Sequence, residues 1–174
     1  MKLTFLGTGA GEGYPGLWCR CPHCTYARRH GGKNLRANSC AVVDERLLLD
    51  IGPACFDNAA RYGVDLTHED HFYPQHLRWR QGGEGAMDLP YRDKLSHGGP
   101  RFTELPTLTL YGNAFVMKTL DAWGEDLADL QICRREIREG EAIEADGGYR
   151  VTPVRGNHGG QRGFTHGYII EKDG

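Results

Sequence analysis

The feature that most constrains this chain is a cluster of three cysteines in the run Cys19-Arg20-Cys21-Pro22-His23-Cys24. Thiolates at this spacing cover one face of a tetrahedral zinc ion and leave its fourth position to a cysteine or histidine distant in sequence. We therefore predict a structural metal site at Cys19, Cys21 and Cys24, on a loop, with His23 directed away from it. The pattern does not name the fourth ligand. Ordinary free thiols are the alternative interpretation.

The other three cysteines, Cys40, Cys55 and Cys133, lie among apolar residues. A cysteine in such surroundings is usually a small buried hydrophobic residue, so we assign these three no function. The sequence has no apolar run suited to a signal peptide or a membrane span, which predicts a cytoplasmic protein without a membrane partner. Disulfides are not expected in that reducing compartment.

The length and charge of the chain limit what it binds. With 174 residues, 39% of them hydrophobic, we expect a single domain over 1–174 with one sizeable core. A net charge of -2 favours a small substrate over nucleic acid. A homodimer is compatible with these properties. The basic run of Arg28, Arg29, Lys33 and Arg36 is typical of a solvated surface, or attracts a phosphate.

Strand-like and helix-like segments alternate along the chain, which predicts an α/β or α+β protein with sheet and helix layers. We predict strands over 2–6, 39–44, 47–51, 107–111, 149–155 and 166–171. Helices are predicted over 54–62, from about Pro74, and after a cap at Asn113, with a long loop over 81–106. A formal G-x-G-x-x-G match at 11–16 lacks the following helix, so we predict no dinucleotide cofactor.

Two further segments carry metal-ligand chemistry. Thr67-His68-Glu69-Asp70-His71 places two imidazoles and a carboxylate on one short turn, a set that holds a metal ion and leaves a position for water. Asn157-His158-Gly159-Gly160 follows a predicted strand, where a histidine is well placed to converge on a site. The alternatives are a solvated polar turn and a structural histidine.

Taken in order, six segments resemble the metallo-β-lactamase superfamily, specifically the branch similar to the cyclic-phosphate phosphodiesterase of the carbon-phosphorus lyase pathway. These segments are Leu6-Gly7-Thr8-Gly9, Gly13-Tyr14-Pro15, the cysteine cluster, Leu48-Leu49-Asp50-Ile51-Gly52, His68-Glu69-Asp70-His71 and Asn157-His158. The resemblance implies an αββα sandwich with a dinuclear metal site at one sheet edge. It also implies a structural zinc held partly by the cysteine cluster.

The resemblance also implies roles for individual residues. His68, Asp70 and His71 match the last three ligands of the superfamily motif H-x-H-x-D-H, and His158 matches the ligand histidine of the next motif. Asp50 matches the aspartate that supports the site from the end of its strand. Asp70 is the implied catalytic residue, which ligates one metal ion and orients the attacking hydroxide. The implied catalytic ions are zinc or manganese, two in the complete protein.

The chain departs from the family pattern in two places. Leu66 stands where the first histidine of the motif is expected, and the apolar strand that precedes the motif in the family is absent. The later family motifs would lie beyond Gly174. We therefore expect a metallo-β-lactamase-like sandwich that is incomplete at the C-terminus and before His68, with residues omitted between Thr67 and His68 or immediately beside them.

The predicted function is metal-dependent hydrolysis, by a phosphodiesterase that cleaves a small phosphate ester or cyclic phosphate through a metal-activated hydroxide. One alternative is an RNA-processing nuclease of the same superfamily, since tRNA 3′-end ribonucleases share the Gly-Thr-Gly start and the histidine motif. The other is a non-catalytic zinc-stabilised module in which the metal site is degraded. An enzyme binds ions beyond the one held by the cysteines, whereas the module binds that one alone.

Overall fold

The structure is a computed structural model that describes residues 1–66, 71–73, 107–123, 132–156 and 166–173, with backbone alone for 71–73 and 123. Over these residues the strands are β1 Leu3–Gly7, β2 Cys40–Val43, β3 Leu47–Leu49, β4 His71–Tyr73, β5 Leu108–Gly112, β6 Ile132–Glu136, β7 Ile143–Ala145, β8 Tyr149–Arg155 and β9 His166–Lys172. The α-helices are α1 Pro22–His30, α2 Cys55–Tyr62 and α3 Ala114–Trp123.

Two sheets organise these strands. The larger sheet has the order β1-β2-β3-β4-β5-β6, antiparallel from β1 to β3 and parallel from β3 to β6. The smaller sheet is antiparallel, in the order β7-β8-β9. The carboxyl ends of the parallel strands β3 and β5 therefore meet at one edge of the larger sheet.

Strands β2, β3 and β5 of the larger sheet are buried on both faces, because their consecutive apolar residues point alternately to the two sides. Val42, Leu48 and Leu110 face a cluster completed by α2 and α3, whereas their chain neighbours Val43, Leu47 and Tyr111 face the smaller sheet. Successive side chains of a strand point to opposite faces, so one apolar run supplies both layers. The described residues thus form helix, sheet and sheet layers, which are three of the four layers of the predicted αββα sandwich.

Three residues, Asp44 to Arg46, join the two predicted strands β2 and β3 into a hairpin. Asp44 and Glu45 both have positive φ, 48° and 59°, and the Arg46 amide donates to the Val43 carbonyl over 2.9 Å. Positive φ at both central residues is the type I′ geometry, whose twist matches that of the flanking strands.

The helix ends follow their local sequence. The Asn113 side-chain oxygen accepts from the Val116 amide over 3.0 Å, which confirms the predicted cap, and Val116 and Leu120 are buried. Helix α2 ends at Gly63, which has a left-handed φ of 63°.

Among the described residues, no helix is long and apolar enough to cross a membrane.

Four of these elements were not predicted, namely β4, β6, β7 and α1, and His71, which was predicted to lie on a short turn, instead begins β4. In β6 only Ile132 is buried and the next four residues are exposed, so its arginine-rich sequence hides the strand. Cys133 is exposed there, so the prediction that it is buried was wrong, whereas Cys40 and Cys55 are buried as predicted. Strand β7 has only three residues. Helix α1 starts inside the cysteine run, which was predicted to be a loop.

The sheet has no gap between β3 and β5, because β4 occupies that position and is parallel to both neighbours. Residues 63–66 form no strand, as expected, and β4 instead begins at His71. The expected omission beside His68, the helix from Pro74 and the loop over 81–106 fall outside the described residues.

A half-buried polar node ties the two sheets together at the β2–β3 turn. The Tyr149 hydroxyl donates to Asp44 over 2.6 Å, and the Lys172 ammonium lies 3.2 Å from the same carboxylate oxygen. The backbone amide of Lys2 donates to the other oxygen. The Tyr149 hydrogen bond, then the Lys2 amide and Lys172, lower the pKa of Asp44 from 3.8 to about 2.

We expect Asp44→Asn to lower the free energy of unfolding by about 1–2 kcal/mol at pH 7, since three donors lose a charged acceptor. The depressed pKa makes the carboxylate's contribution complete above pH 3.8 and lost as the pH falls through about 2. The difference in the free energy of unfolding between the parent and Asp44→Asn is therefore expected to narrow as the pH falls below about 4. Urea denaturation measures it. Glu45→Gln, which changes the neighbouring carboxylate, is the control. An equal loss of unfolding free energy in that variant would contradict a specific role for the Asp44 carboxylate.

Candidate metal centre

The three predicted cysteine ligands converge in the structure. The Sγ atoms of Cys19, Cys21 and Cys24 all lie within 4.8 Å of one another. Zinc–sulfur bonds of about 2.3 Å in tetrahedral geometry place the sulfurs about 3.8 Å apart, which is within the range that this cluster spans. The donor set fits a thiolate metal site.

Helix α1 holds two of these ligands. Cys21 is its N-cap residue, Pro22 occupies the first turn, and the Cys24 amide donates to the Cys21 sulfur over 3.4 Å. That amide, followed by the side chains of Cys19 and Cys24, lowers the pKa of Cys21. The helix N-terminus therefore favours the thiolate, the form that binds metal.

Arg28 holds the loop that carries the third ligand, Cys19. Its guanidinium donates to the carbonyl oxygens of Cys19 over 2.6 Å and Gly16 over 2.5 Å, and the Cys19 amide donates to Gly16 over 3.0 Å. The sequence analysis missed this role, because Arg28 appeared only as part of a basic run. The available signal in the sequence was the position of Arg28, nine residues after Cys19 and within the segment that forms α1.

Burial differs among the three cysteines. Cys24 is buried, Cys19 is half-buried and Cys21 is exposed. In the described part of the chain no other cysteine, histidine or carboxylate joins the cluster, and His23 stays outside it as predicted. The described residues therefore supply three ligands and do not identify the fourth.

A second set of polar residues lies at the carboxyl edge of the larger sheet. Asp50 follows β3 with a φ of 65°, a left-handed conformation that is uncommon outside glycine and concentrates at functional positions. Burial, and then the charge of Asp50, raises the pKa of Tyr168, so this β9 residue lies near the carboxylate. The predicted position of Asp50 at its strand end is confirmed.

His166, to which the sequence analysis assigned no role, is buried near the same edge. Its Nδ1 lies 3.2 Å from the Asn113 Nδ2, and the Asn113 oxygen is already occupied by the Val116 amide. Asn113 therefore donates, which places the His166 proton on Nε2 in a neutral ring. Burial lowers the pKa of His166, partly offset by the charge of Glu139.

The remaining predicted ligands are described only in part. His68, Asp70 and His158 fall outside the described residues, and only the backbone of His71 is described. His71 begins β4, paired with Leu47, whereas Asp50 follows the other end of β3. Leu47 and Asp50 are three residues apart along an extended chain. The His71 backbone therefore lies about 10 Å from Asp50 along the strand direction. The structure brings the cysteines together but does not place the His71 backbone at the edge marked by Asp50.

Comparisons with known proteins identify the fold. No family model matches the sequence, and no curated protein matches it. Solved structures do. A diphosphatase from the PhnP family superimposes with a TM-score of 0.66 at 25% identity, over 97% of this chain and 61% of its own.

Two other structures are similar. Zinc-bound PqqB from Methylobacterium extorquens has a TM-score of 0.70 and 20% identity, over 100% of this chain and 62% of its own. The short form of human tRNase Z has a TM-score of 0.57 and 16% identity, over 100% of this chain and 66% of its own. This chain thus spans less than two thirds of each.

The chain therefore has the fold of the metallo-β-lactamase superfamily, to which all three structures belong. The resemblance inferred from the sequence motifs is confirmed. Within that superfamily it is similar to the PhnP-family diphosphatase over nearly its entire length.

We expect Cys21→Ser to release bound zinc and to lower the melting temperature by roughly 5 °C, because one of three clustered thiolates is lost. Elemental analysis and a thermal melt measure the two effects. Cys133→Ser, which removes an exposed thiol in β6, is the matched control and is expected to change neither. Unchanged zinc content in the Cys21 variant rules the site out.

We expect Arg28→Ala to weaken zinc binding about tenfold, since residues that orient metal ligands typically carry effects of this size. Arg29→Ala changes the next arginine of the same helix and is expected to leave affinity unchanged. Competition with a chromogenic chelator measures both. Equal affinities in the two variants would mean that Arg28 does not hold the loop for metal binding.

Proposed function

We propose that this chain is the metal-binding part of a metal-dependent hydrolase, a phosphodiesterase that acts on a small phosphate ester or cyclic phosphate. The observation that carries the proposal is the fold shared with a PhnP-family diphosphatase over 97% of the chain. The ordered sequence motifs support the same conclusion. A net charge of -2 favours a small substrate over a polyanion.

In this proposal His68, Asp70, His71 and His158 hold the catalytic ions, which are zinc or manganese. When bound, such ions polarise a phosphoryl oxygen and acidify water towards neutral pH. Imidazole and carboxylate together suit both metals. Asp70 contributes a negative charge beside the ions and orients the attacking water.

The resemblance assigns Asp50 a supporting role at this site, although the end of β3 lies about 10 Å along the sheet from the register of the His71 backbone. The left-handed backbone of Asp50 is held by the packed sheet, so its carboxylate is positioned before any substrate arrives. The neutral ring of His166, fixed by Asn113, keeps its Nε2 proton available as a hydrogen-bond donor. These residues give the sheet edge a preorganised polar lining.

The cysteine cluster is proposed to hold a separate zinc with a structural role. It lies on α1 and the preceding loop, whereas Asp50 follows β3. A thiolate set suits a closed structural zinc better than a catalytic ion that must keep an open position. A reducing compartment such as the cytoplasm keeps these thiols available.

One alternative is an RNA-processing nuclease, which the similarity to human tRNase Z favours at the level of fold. The other is a non-catalytic zinc-stabilised module, which Leu66 in place of the first motif histidine favours. The number of metal ions bound per chain distinguishes the enzyme from the module, because the enzyme binds ions beyond the one held by the cysteines. Cleavage of a precursor tRNA separates the nuclease from the phosphodiesterase.

We expect manganese- or zinc-dependent hydrolysis of bis(p-nitrophenyl) phosphate by the full protein. Asp70→Ala is expected to reduce the rate to below roughly 1% of the original, since the ions lose a carboxylate ligand. The same variant is expected to keep the cysteine-bound zinc. Release of nitrophenol and elemental analysis are the measurements.

Asp57→Asn, which alters an exposed carboxylate of α2, is the matched control and is expected to keep full activity. Activity that survives both chelation and Asp70→Ala would assign the protein to another class. One bound ion and no hydrolysis would favour the module.

A further inference from the structure

A cleft of about 330 Å³ opens beside β1, the edge strand of the larger sheet. We call it the β1 cleft. It is formed by β1, the segment 35–37 and the inner side of α2. Neither the three cysteines of the metal cluster nor Asp50 lines it, so it is separate from the sites above.

Asn58 of α2 lines this cleft and has an unusual environment. It is only 6% exposed, yet its side-chain nitrogen has no hydrogen-bond partner among the described residues. Such an unpaired donor costs about 1–3 kcal/mol, and native proteins leave few of them. Because the nitrogen is covered by neighbouring atoms, the amide must rotate towards the cleft before a ligand oxygen can accept from it.

Two arginines line the same cleft. Arg36 and Arg61 are exposed, and neither forms an ion pair with a described carboxylate, unlike Arg134 with Asp121 or Arg155 with Glu139. None of the described residues around the cleft is acidic. A cleft with two guanidinium groups and no acid attracts an anion, and guanidinium groups match phosphate oxygens best.

Apolar side chains form the remaining wall. Phe5 is 62% exposed, Tyr62 57% and Leu35 54%, and all three line the cleft. Exposed apolar surface that converges on a few polar groups is the usual composition of a small-molecule site. Flat rings pack well against Phe5 and Tyr62.

We propose that the β1 cleft binds a small phosphate monoester that carries an aromatic ring. Arg36 and Arg61 contact the phosphate, Asn58 Nδ2 donates to one of its oxygens, and the ring packs against Phe5 and Tyr62. This site is independent of the proposed hydrolase activity, because it uses none of the metal-binding residues.

Calorimetric titration with phenyl phosphate tests the proposal. The zinc-loaded full chain is used with Asp70→Ala, so that binding at catalytic ions does not contribute. We expect one ligand per chain, with at least roughly tenfold weaker binding in Arg36→Ala and Arg61→Ala. Arg29→Ala, outside the cleft, is expected to bind as the parent does. Equal affinity in all three variants, or no binding by the parent, overturns the proposal.

Two further arms identify which part of the ligand is recognised. Inorganic phosphate and phenol are each expected to bind at least tenfold more weakly than phenyl phosphate, because each lacks half of the contacts. Equal binding of inorganic phosphate would replace the monoester site by a simple phosphate site and overturn the assignment of the ring to Phe5 and Tyr62.

Asn58→Leu examines the buried donor. The variant removes no side-chain hydrogen bond made by the described residues, so we expect a higher melting temperature without ligand and at least tenfold weaker phenyl phosphate binding. A lower melting temperature with unchanged binding would give Asn58 a structural role instead. The arginine variants are exposed, so they decide the site whatever the stability of this one.

Discussion

The structure depends on the burial of strands β2, β3 and β5 of the larger sheet on both faces. Leu47 and Leu48 illustrate it, since adjacent residues of β3 pack into opposite clusters, one against the smaller sheet and one against the helices. The carboxyl ends of β3 and β5 consequently meet at one edge, where Asp50 and Asn113 follow their strands. A polar site at that edge is held by the core, which explains how an aspartate keeps a left-handed backbone there.

The cysteine cluster depends on a different support. Its ligands lie outside both core clusters, and they converge because Cys21 caps α1 while Arg28 of the same helix binds the loop that carries Cys19. A short helix with exposed sides has little intrinsic stability, so a bound ion and the helix reinforce each other. Thiolates at a helix N-terminus also gain from its dipole, which joins metal binding to local folding.

Phosphate chemistry connects the two proposals without merging them. At the proposed catalytic site, metal ions would bind and activate a phosphate ester, whereas in the β1 cleft arginines and one buried amide would bind it without reacting. Guanidinium groups neutralise a phosphate but do not acidify water as a metal ion does. A single chain can therefore hold a phosphate ester at two places with different consequences.

Short-range patterns in the sequence were sufficient for the β2–β3 hairpin, the Asn113 cap, the cysteine cluster and the superfamily, because each depends on neighbouring residues or on the order of motifs. Other features were decided by tertiary structure. Strand β6 is identified only by its pairing with β5, since its exposed arginines lack a strand pattern. Asp44 meets Lys172, and Asn58 meets the residues of β1, only after folding, because charge and burial depend on contacts between residues far apart in the chain.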